Sequence, residues 1–172
     1  KISANAFYMN YLNQLVLTGA LNDVGSPIFT NSGKSYRLGL EIESVIAITD
    51  KLILNPNVTL SQNKIQNFNE KLTDYENYTE VLVPHGTTDI AYSPKLIAGN
   101  TITYKKGAFE GALLSKYVGK QYLDNTSAEK RSLASYATQD LRFSYVFSKH
   151  ISSTLLMNNV LNSMYSSNGY TY

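Results

Sequence analysis

The stretch Tyr36-Arg37-Leu38-Gly39-Leu40-Glu41-Ile42-Glu43 alternates between two kinds of residue. Even positions are aromatic or aliphatic, and odd positions are glycine or charged. Successive side chains of a strand point to opposite faces, so a period of two predicts a strand with one apolar and one polar face. Because the polar face carries charges, the pattern is typical of a barrel wall that has lipid on one side and water on the other.

The same kind of segment recurs along the chain, and the connections between segments alternate in length. We predict about seven strands, with boundaries good to a few residues, at 4–18, 34–48, 52–66, 90–105, 108–120, 136–147 and 151–162. Short turns at Asp50-Lys51, Lys106-Gly107 and Lys149-His150 alternate with long loops at 19–33, 67–89 and 121–135. Short turns at one end and long loops at the other predict an all-β fold, an antiparallel up-and-down transmembrane β-barrel wall.

Two segments fit the pattern less well. Pro56 lies inside the predicted strand 52–66, where it removes a backbone donor and favours a bulge or a strand that begins there. The segment 151–162 also has the apolar spacing of a short helix, with Leu155, Leu156 and Val160.

The faces of two strands predict which residues line the barrel. Arg37, Glu41 and Glu43 share one parity in strand 34–48, and Asp140 and Arg142 share one parity in strand 136–147. We expect these five residues to face the lumen. The opposite parity predicts a lipid-facing set, which consists of Leu38, Leu40, Leu141, Phe143 and Tyr145.

Composition excludes several classes of protein. The 172 residues are 43% hydrophobic and 16% charged, which argues against disorder. The net charge of +2 without a Lys/Arg cluster gives no footprint for nucleic acid. The absence of cysteine excludes disulfides and thiolate metal sites. No run of 18 apolar residues indicates a transmembrane helix.

Several stretches resemble one family in its own order along the chain. They include Ser115-Lys116-Tyr117-Val118-Gly119-Lys120-Gln121-Tyr122-Leu123-Asp124-Asn125-Thr126 and Asn158-Asn159-Val160-Leu161-Asn162, together with 8–19, 21–25, 34–41, Tyr165 and 167–170. This set resembles the C-terminal barrel half of TonB-dependent outer-membrane receptors, especially those of the Bacteroidetes type. Such barrels have about 22 strands. The resemblance therefore implies that residues 1–172 are a partial C-terminal segment of the barrel domain, without the plug domain and the final strand.

The resemblance also implies a function and partners. It predicts part of a receptor, not an enzyme, that imports a scarce nutrient such as a siderophore, cobalamin or a glycan across the outer membrane of a Gram-negative bacterium. The expected partners are outer-membrane lipid, the plug domain of the same receptor, the TonB energy-transducing complex acting through that plug, and a small nutrient ligand. We expect no cofactor, no bound metal and no nucleic acid.

The residues favour one loop as a ligand site. The predicted loop 67–89 combines aromatic rings with amides and acids, which is chemistry suited to sugars or chelates; the candidate residues are Asp74, Tyr75, Asn77 and Tyr78. The alternative is a solvated outer loop without a ligand. His85 and His150 fall at opposite ends of the predicted wall, so we expect them to share no metal.

Two other functions stay open at this point. One is a passive porin-like or structural outer-membrane barrel, since nothing in residues 1–172 corresponds to a plug. The other is a secreted all-β binding module, whose apolar face would be a packed interior. No nucleophile elbow, P-loop or dinucleotide fingerprint is present to support an enzyme.

Overall fold

The structure, a computed structural model, describes residues 1–74, 76–77 and 79–171, and for residues 19–21, 73 and 80 it describes the backbone alone. The wall strands are β1 (Ile2–Leu12), β4 (Lys34–Ser44), β6 (Leu52–Asp74), β8 (Leu96–Lys106), β9 (Phe109–Val118), β12 (Tyr136–Val146) and β13 (Ser152–Met157). The remaining elements are β2 (Leu15–Leu21), β3 (Pro27–Asn31), β5 (Ile46–Ala47), β7 (Thr79–Asp89), β10 (Gln121–Tyr122), β11 (Ser132–Leu133) and a 3-10 helix at Glu129–Arg131. Within these ranges no helix has the length and apolar character needed to cross a membrane.

The wall strands form one antiparallel sheet in the order β1-β4-β6-β8-β9-β12-β13, with β5 and β7 both paired to β6. Each wall strand therefore pairs with the next wall strand along the chain, as the alternation predicted. The sheet is open, because within the described residues β1 and β13 are its two ends and do not pair with each other. The up-and-down antiparallel fold is confirmed.

Strand register extends the two faces across the whole wall, because directly paired residues lie on the same face. One row joins Leu54, Ile102, Leu113 and Leu141. Another joins Glu41, Thr59, Ile97, Val118 and Tyr136. The first row lies on what we call the apolar face, which also carries Leu38, Leu40, Phe143 and Tyr145. The second lies on the polar face, which also carries Arg37, Glu43, Asp140 and Arg142.

The apolar face has no protein layer packed over it in the described part of the chain. Leu40, in the middle of β4, is 40% exposed, and Tyr145, near the end of β12, is 45% exposed. The small buried core of Val16, Ile65 and Ile90 lies elsewhere, at the end of the wall where the long connections are. An uncovered apolar sheet face argues against the packed interior of a binding module.

The long connections differ most from prediction. The predicted strand 4–18 is interrupted at Asn13, whose left-handed φ of 55° turns the chain out of β1. The predicted loop 19–33 is wrong for most of its length, since β2, which begins at Leu15, pairs with β3 as a hairpin. Its tip is closed by Asn22, whose side-chain oxygen accepts hydrogen bonds from the amides of Val24 and Ser26.

The predicted loop 67–89 is also wrong for most of its length. Strand β6 does not end near residue 66 but continues to Asp74 and pairs with β7. The register shifts around Asn67, which has a φ of 51°. The predicted loop 121–135 contains the β10–β11 pair and the 3-10 helix. We refer to the β2–β3 hairpin, the part of β6 beyond Asn67 with β7, and residues 119–135 together as the outer connections.

The remaining boundary differences have local causes. Strand β8 begins at Leu96 and not near residue 90, because Tyr92 has a φ of 51° and breaks the extended backbone. Strand β13 ends at Met157, and Asn159 and Asn162 are both left-handed, so 151–162 is neither a full strand nor a helix. Pro56 causes no bulge towards β8, where it pairs with Asn100; the ladder towards β4 is interrupted instead and resumes at Ile46–Leu54.

Candidate ligand-binding site

The outer connections enclose a cavity of about 690 Å3, within the usual range for small-molecule sites. Its lining is mixed. Hydroxyl and amide groups come from Thr18, Thr30, Asn31, Ser32, Asn67, Asn69, Thr126 and Thr171; apolar groups come from Ile65, Phe68, Leu72 and Leu82; charged groups come from Glu70, Lys71, Asp124 and Arg131. Apolar surface with a few convergent polar groups is the usual character of a ligand site.

The floor of the cavity depends on the irregularity at Asn67. Ile65 is buried with Val16 and Ile90, and Phe68 packs against the same core. Residues three apart in a regular strand face opposite sides, so Ile65 and Phe68 could not otherwise share a core. The left-handed Asn67 between them allows it, because the register shift reverses the side to which the following residues point.

A charged cluster forms one wall of the cavity. Arg131 donates from Nη1 to Glu70 Oε1 at 2.7 Å and to Asp124 Oδ2 at 3.0 Å. His85 Nε2 lies 2.8 Å from Glu70 Oε2. These contacts join the β6–β7 hairpin to the segment 119–135, so we call Glu70, His85, Asp124 and Arg131 the outer clamp.

The electrostatics of the outer clamp favour the charged forms of Glu70 and Arg131. Burial raises the pKa of Glu70, but hydrogen bonds from Arg131 and His85 and the charge of Arg131 outweigh it, so the pKa lies below the ordinary value. The hydrogen bond to Glu70 raises the pKa of Arg131. Because Glu70 and Asp124 both pair with the guanidinium, they neutralise the positive charge of Arg131, which therefore attracts an anionic ligand only weakly.

The segment 119–135 is fixed by buried polar side chains next to the outer clamp. Asn125 accepts a hydrogen bond from the Ala91 amide at 2.8 Å and donates to the Leu17 carbonyl. Asp124 Oδ1 accepts from the amide and the hydroxyl of Thr126. Buried polar groups that are fully hydrogen-bonded hold a loop in one arrangement.

The C-terminal segment 158–171 returns across the polar face. The Asn159 amide donates to Asp140 Oδ1 at 2.7 Å, and the rings of Tyr165 and Tyr136 stack with centroids 4.1 Å apart. Tyr92 donates its hydroxyl to the Gly169 carbonyl, and Thr171 lines the cavity. The cavity is therefore built by segments from both ends of the chain.

Of the residues that the sequence singled out as a ligand site, the two that the structure describes do not line this cavity. Asp74 and Asn77 are at the tip of the β6–β7 hairpin, where Asp74 accepts hydrogen bonds from the Glu76 amide and from Asn77 Nδ2 at 2.9 Å each. The tip hydrogen bonds lower the pKa of Asp74, that from the Asn77 side chain most. Tyr75 and Tyr78 lie outside the described residues.

The five polar-face residues are dispersed along the wall. Arg37 donates to Asn63 and Ser93, and Glu41 accepts from Asn5 Nδ2, each at 3.1 Å. Arg142 pairs with Glu110 at 3.0 Å. Glu43 is paired in register with Ser3 and Asn57, and Asp140 holds Asn159.

The outer clamp was not predictable from the sequence, because its members come from separate segments. Glu70 and Arg131 are 61 residues apart. His85 is at the clamp, whereas His150 lies in the short turn after β12 at the other end of the wall. Among the residues that the structure describes, no group of three acidic or histidine side chains could hold a metal.

Comparison with known proteins places the chain in a family. Residues 1–162 match the family described as TonB dependent receptor-like, beta-barrel. The chain therefore belongs to the TonB-dependent receptor β-barrel family, which is a family of receptors and transporters and not of enzymes. The comparisons do not test the Bacteroidetes type. Comparison of the sequence with curated proteins gave no match.

Solved structures agree with the fold. The siderophore receptor PiuA from Acinetobacter baumannii has a TM-score of 0.73 at 22% identity and is matched over 98% of this chain and 23% of its own. The ferric yersiniabactin uptake receptor FyuA from Yersinia pestis has a TM-score of 0.68 at 17% identity, over 99% of this chain and 24% of its own. The copper transporter OprC has a TM-score of 0.66 at 13% identity, over 97% and 24%. The chain thus spans about a quarter of the length of each.

Proposed function

We propose that the chain is part of the wall of an outer-membrane receptor that imports a scarce nutrient into a Gram-negative bacterium. Family membership and the described open wall support this. Solved structures that share the fold are described as a siderophore receptor, a ferric yersiniabactin uptake receptor and a copper transporter. In the proposed receptor, a plug domain occupies the lumen and connects the barrel to the TonB energy-transducing complex.

In this proposal the apolar face contacts lipid and the polar face lines the lumen. A charge on the lipid side costs about 2–4 kcal/mol at the membrane midplane for Arg or Lys. Arg37 and Arg142, with Glu41, Glu43 and Asp140, are all on the polar face. The lumen, filled by water and a plug, is where they keep their hydration or their partners.

The open edges support a wall that continues in both directions. An unpaired strand edge leaves a row of N–H and C=O groups, at several kcal/mol each in hydrocarbon. We propose that β1 and β13 pair with further strands of the same receptor, and that residues 1–172 are a partial segment of its barrel domain.

The cavity among the outer connections is the observation that carries the ligand proposal. It lies at the long-connection end of the wall, which faces outside in an outer-membrane barrel. Hydroxyls, amides and one aromatic ring suit a chelate, cobalamin or glycan with both polar and apolar surface. Asp74 and Asn77, at the tip of the β6–β7 hairpin, stay candidates for an outer rim of the site, and so do Tyr75 and Tyr78 by their place in the sequence.

The first test is growth of the bacterium with and without the gene when the limiting nutrient is a ferric siderophore, cobalamin or a glycan. We expect deletion to reduce growth on one of them, and complementation to restore growth only when TonB is present. Unchanged growth on all of them would contradict the import proposal. Uptake that continues without TonB would favour a passive porin.

The second test uses the nutrient identified in that way and the variant Asn69→Ala. Asn69 is exposed, lines the cavity and can lose its amide without disturbing the core. Loss of one hydrogen bond of 0.5–1.5 kcal/mol predicts binding weaker by about 2- to 12-fold. Lys130→Ala, on the exposed 3-10 helix outside the cavity, is the control. Equal affinity in both variants would contradict this location of the site.

A further inference from the structure

Each of the three short turns at the other end of the wall carries a lysine. Lys51 lies in the turn before β6, Lys106 ends β8, and Lys149 lies in the turn before β13. All three are exposed, and none makes an ion pair with another described residue. Each of the three short turns therefore presents an unpaired cation.

These turns are neighbours in space and not only in sequence pattern. The Lys105 amide donates to the Lys51 carbonyl at 2.8 Å, which joins the first turn to the second. The Val146 amide donates to the Ala108 carbonyl at 3.0 Å, which joins the second to the third. Lys51, Lys106 and Lys149 consequently form one row across the end of the wall, which we call the basic row.

Local acids do not neutralise the basic row. Glu110 is already held by Lys105 at 2.9 Å and by Arg142 at 3.0 Å. Asp50 is the remaining acid in these turns, and its one negative charge does not offset three lysines. At the opposite end, by contrast, Lys64 and Lys95 both pair with Asp89, and Lys120 pairs with Glu129.

A belt of aromatic side chains lies next to the basic row on the apolar face. Tyr104, Phe109, Tyr145 and Phe147 are all exposed there, and the rings of Tyr145 and Phe147 have centroids 4.8 Å apart. Lys106 is directly opposite Phe109 in the strand register. Aromatic belts mark the depth of the lipid headgroups in membrane barrels, so the basic row begins at the level of the lipid phosphates.

We propose that the basic row binds the phosphate groups of anionic phospholipid, such as phosphatidylglycerol, in the leaflet around the short-turn end. The inference rests on the proposed membrane-spanning wall. Each lysine near an anionic membrane surface contributes about 1 kcal/mol of binding free energy, which corresponds to about a fivefold enrichment of anionic lipid beside it. Three adjacent lysines make this end of the wall selective for anionic over zwitterionic lipid.

The experiment uses the receptor produced from its complete gene and reconstituted in phosphatidylcholine vesicles. A fluorophore on Ser148→Cys, in the third turn, reports on nearby lipid; the chain itself contains no cysteine, and any elsewhere in the receptor is replaced. The quencher is a nitroxide near the carbonyl end of the acyl chain, on trace phosphatidylglycerol or on trace phosphatidylcholine. We expect phosphatidylglycerol to quench at a mole fraction lower by about fivefold or more.

Two perturbations should abolish that preference. One is the triple variant Lys51→Gln, Lys106→Gln and Lys149→Gln; the other is about 1 M salt, which reduces the Debye length to about 3 Å. The variant Lys34→Gln, Lys95→Gln and Lys130→Gln removes the same charge at the opposite end and should retain the preference. If the triple variant does not insert, the salt titration of the unmodified receptor decides alone.

The outcomes separate this inference from the proposed function. Equal quenching by the two lipids in an inserted receptor, or a preference unaffected by salt, would contradict lipid binding by the basic row. The proposed receptor function would be unaffected by either result. A receptor that does not insert into any vesicle would contradict the membrane-spanning wall itself.

Discussion

Replacing Arg131 by methionine should loosen the segment 119–135 while the wall stays folded. Methionine keeps much of the length of the side chain but removes the cation shared by Glu70 and Asp124. Asp124 then keeps its hydrogen bonds from Thr126 but loses its only opposite charge among the described residues. Two carboxylates would face each other across the place of the guanidinium.

The magnitude follows from the exposure of the three side chains. Removing one partner of a fully buried pair costs about 3–5 kcal/mol, and an exposed pair contributes about 0–1 kcal/mol. The side chain of Asp124 is 2% exposed, that of Glu70 18% and that of Arg131 34%. Solvent screening at Arg131 places the cost between these limits, at about 2 kcal/mol, or roughly 30-fold in the opening equilibrium.

Hydrogen exchange of the complete receptor measures this opening directly. The informative amides are those of Leu123, which donates to the Arg131 carbonyl, and Ala91, which donates to Asn125. We expect both to exchange about 30-fold faster in Arg131→Met, whereas wall amides should be unchanged. Lys130→Met, which removes a neighbouring exposed charge, is the control. Exchange within about twofold of the unmodified receptor would refute the argument that the outer clamp holds this segment.

Three further predictions concern the clamp, the wall and its edges. Acidification should open the outer clamp, because the folded-state pKa of Glu70 is lowered. The stability that ionised Glu70 contributes is complete above the unfolded pKa of about 4.3 and is lost as the pH falls through the folded value. Spin-label distances between β7 and 119–135 should lengthen only in that acidic range. Gly39→Ala should destabilise the wall by about 1–3 kcal/mol, because a Cβ would lie 2.6 Å from the Leu60 carbonyl oxygen; denaturant titration should leave Gly33→Ala, where nothing lies within 4 Å, near the unmodified stability. Residues 1–172 produced alone should aggregate or stay unfolded in detergent, and a monomeric, protease-resistant species with cooperative unfolding would contradict the proposed continuation of the wall beyond β1 and β13.

The wall was predictable because one physical constraint acts on every second residue. Leu38, Leu40 and Ile42 must all lie on the face away from water, and the residues between them lie on the opposite face. The alternation of the two faces therefore appears in the sequence as a period of two. The segment 108–120 shows the limit of this argument, because it carries apolar residues at both parities. Phe109, Leu113 and Tyr117 compete there with Leu114 and Val118, and only pairing with β8 and β12 assigns the first three to the apolar face.

The outer connections were not predictable because no such constraint acts on them. The stretch after Asn67 is rich in Asn, Glu, Lys and Asp, which are poor strand formers, yet it pairs with β7 as a hairpin. Pairing of backbones does not require an apolar face. The outer clamp depends in turn on that hairpin, because only the extended β6 brings Glu70 to Arg131.

Site-directed labelling of the complete receptor in its own outer membrane tests the central claim most directly. Single cysteines replace Arg37, Leu38, Leu40 and Glu41 in turn and carry a nitroxide, whose collisions with oxygen report lipid and with a water-soluble nickel chelate report water. The lipid-facing wall predicts high oxygen and low nickel accessibility at Leu38 and Leu40. At Arg37 and Glu41 it predicts low oxygen accessibility, with high nickel accessibility wherever no other part of the receptor covers the label. Loss of this alternation, or water accessibility at both leucines, would contradict a wall that spans the membrane.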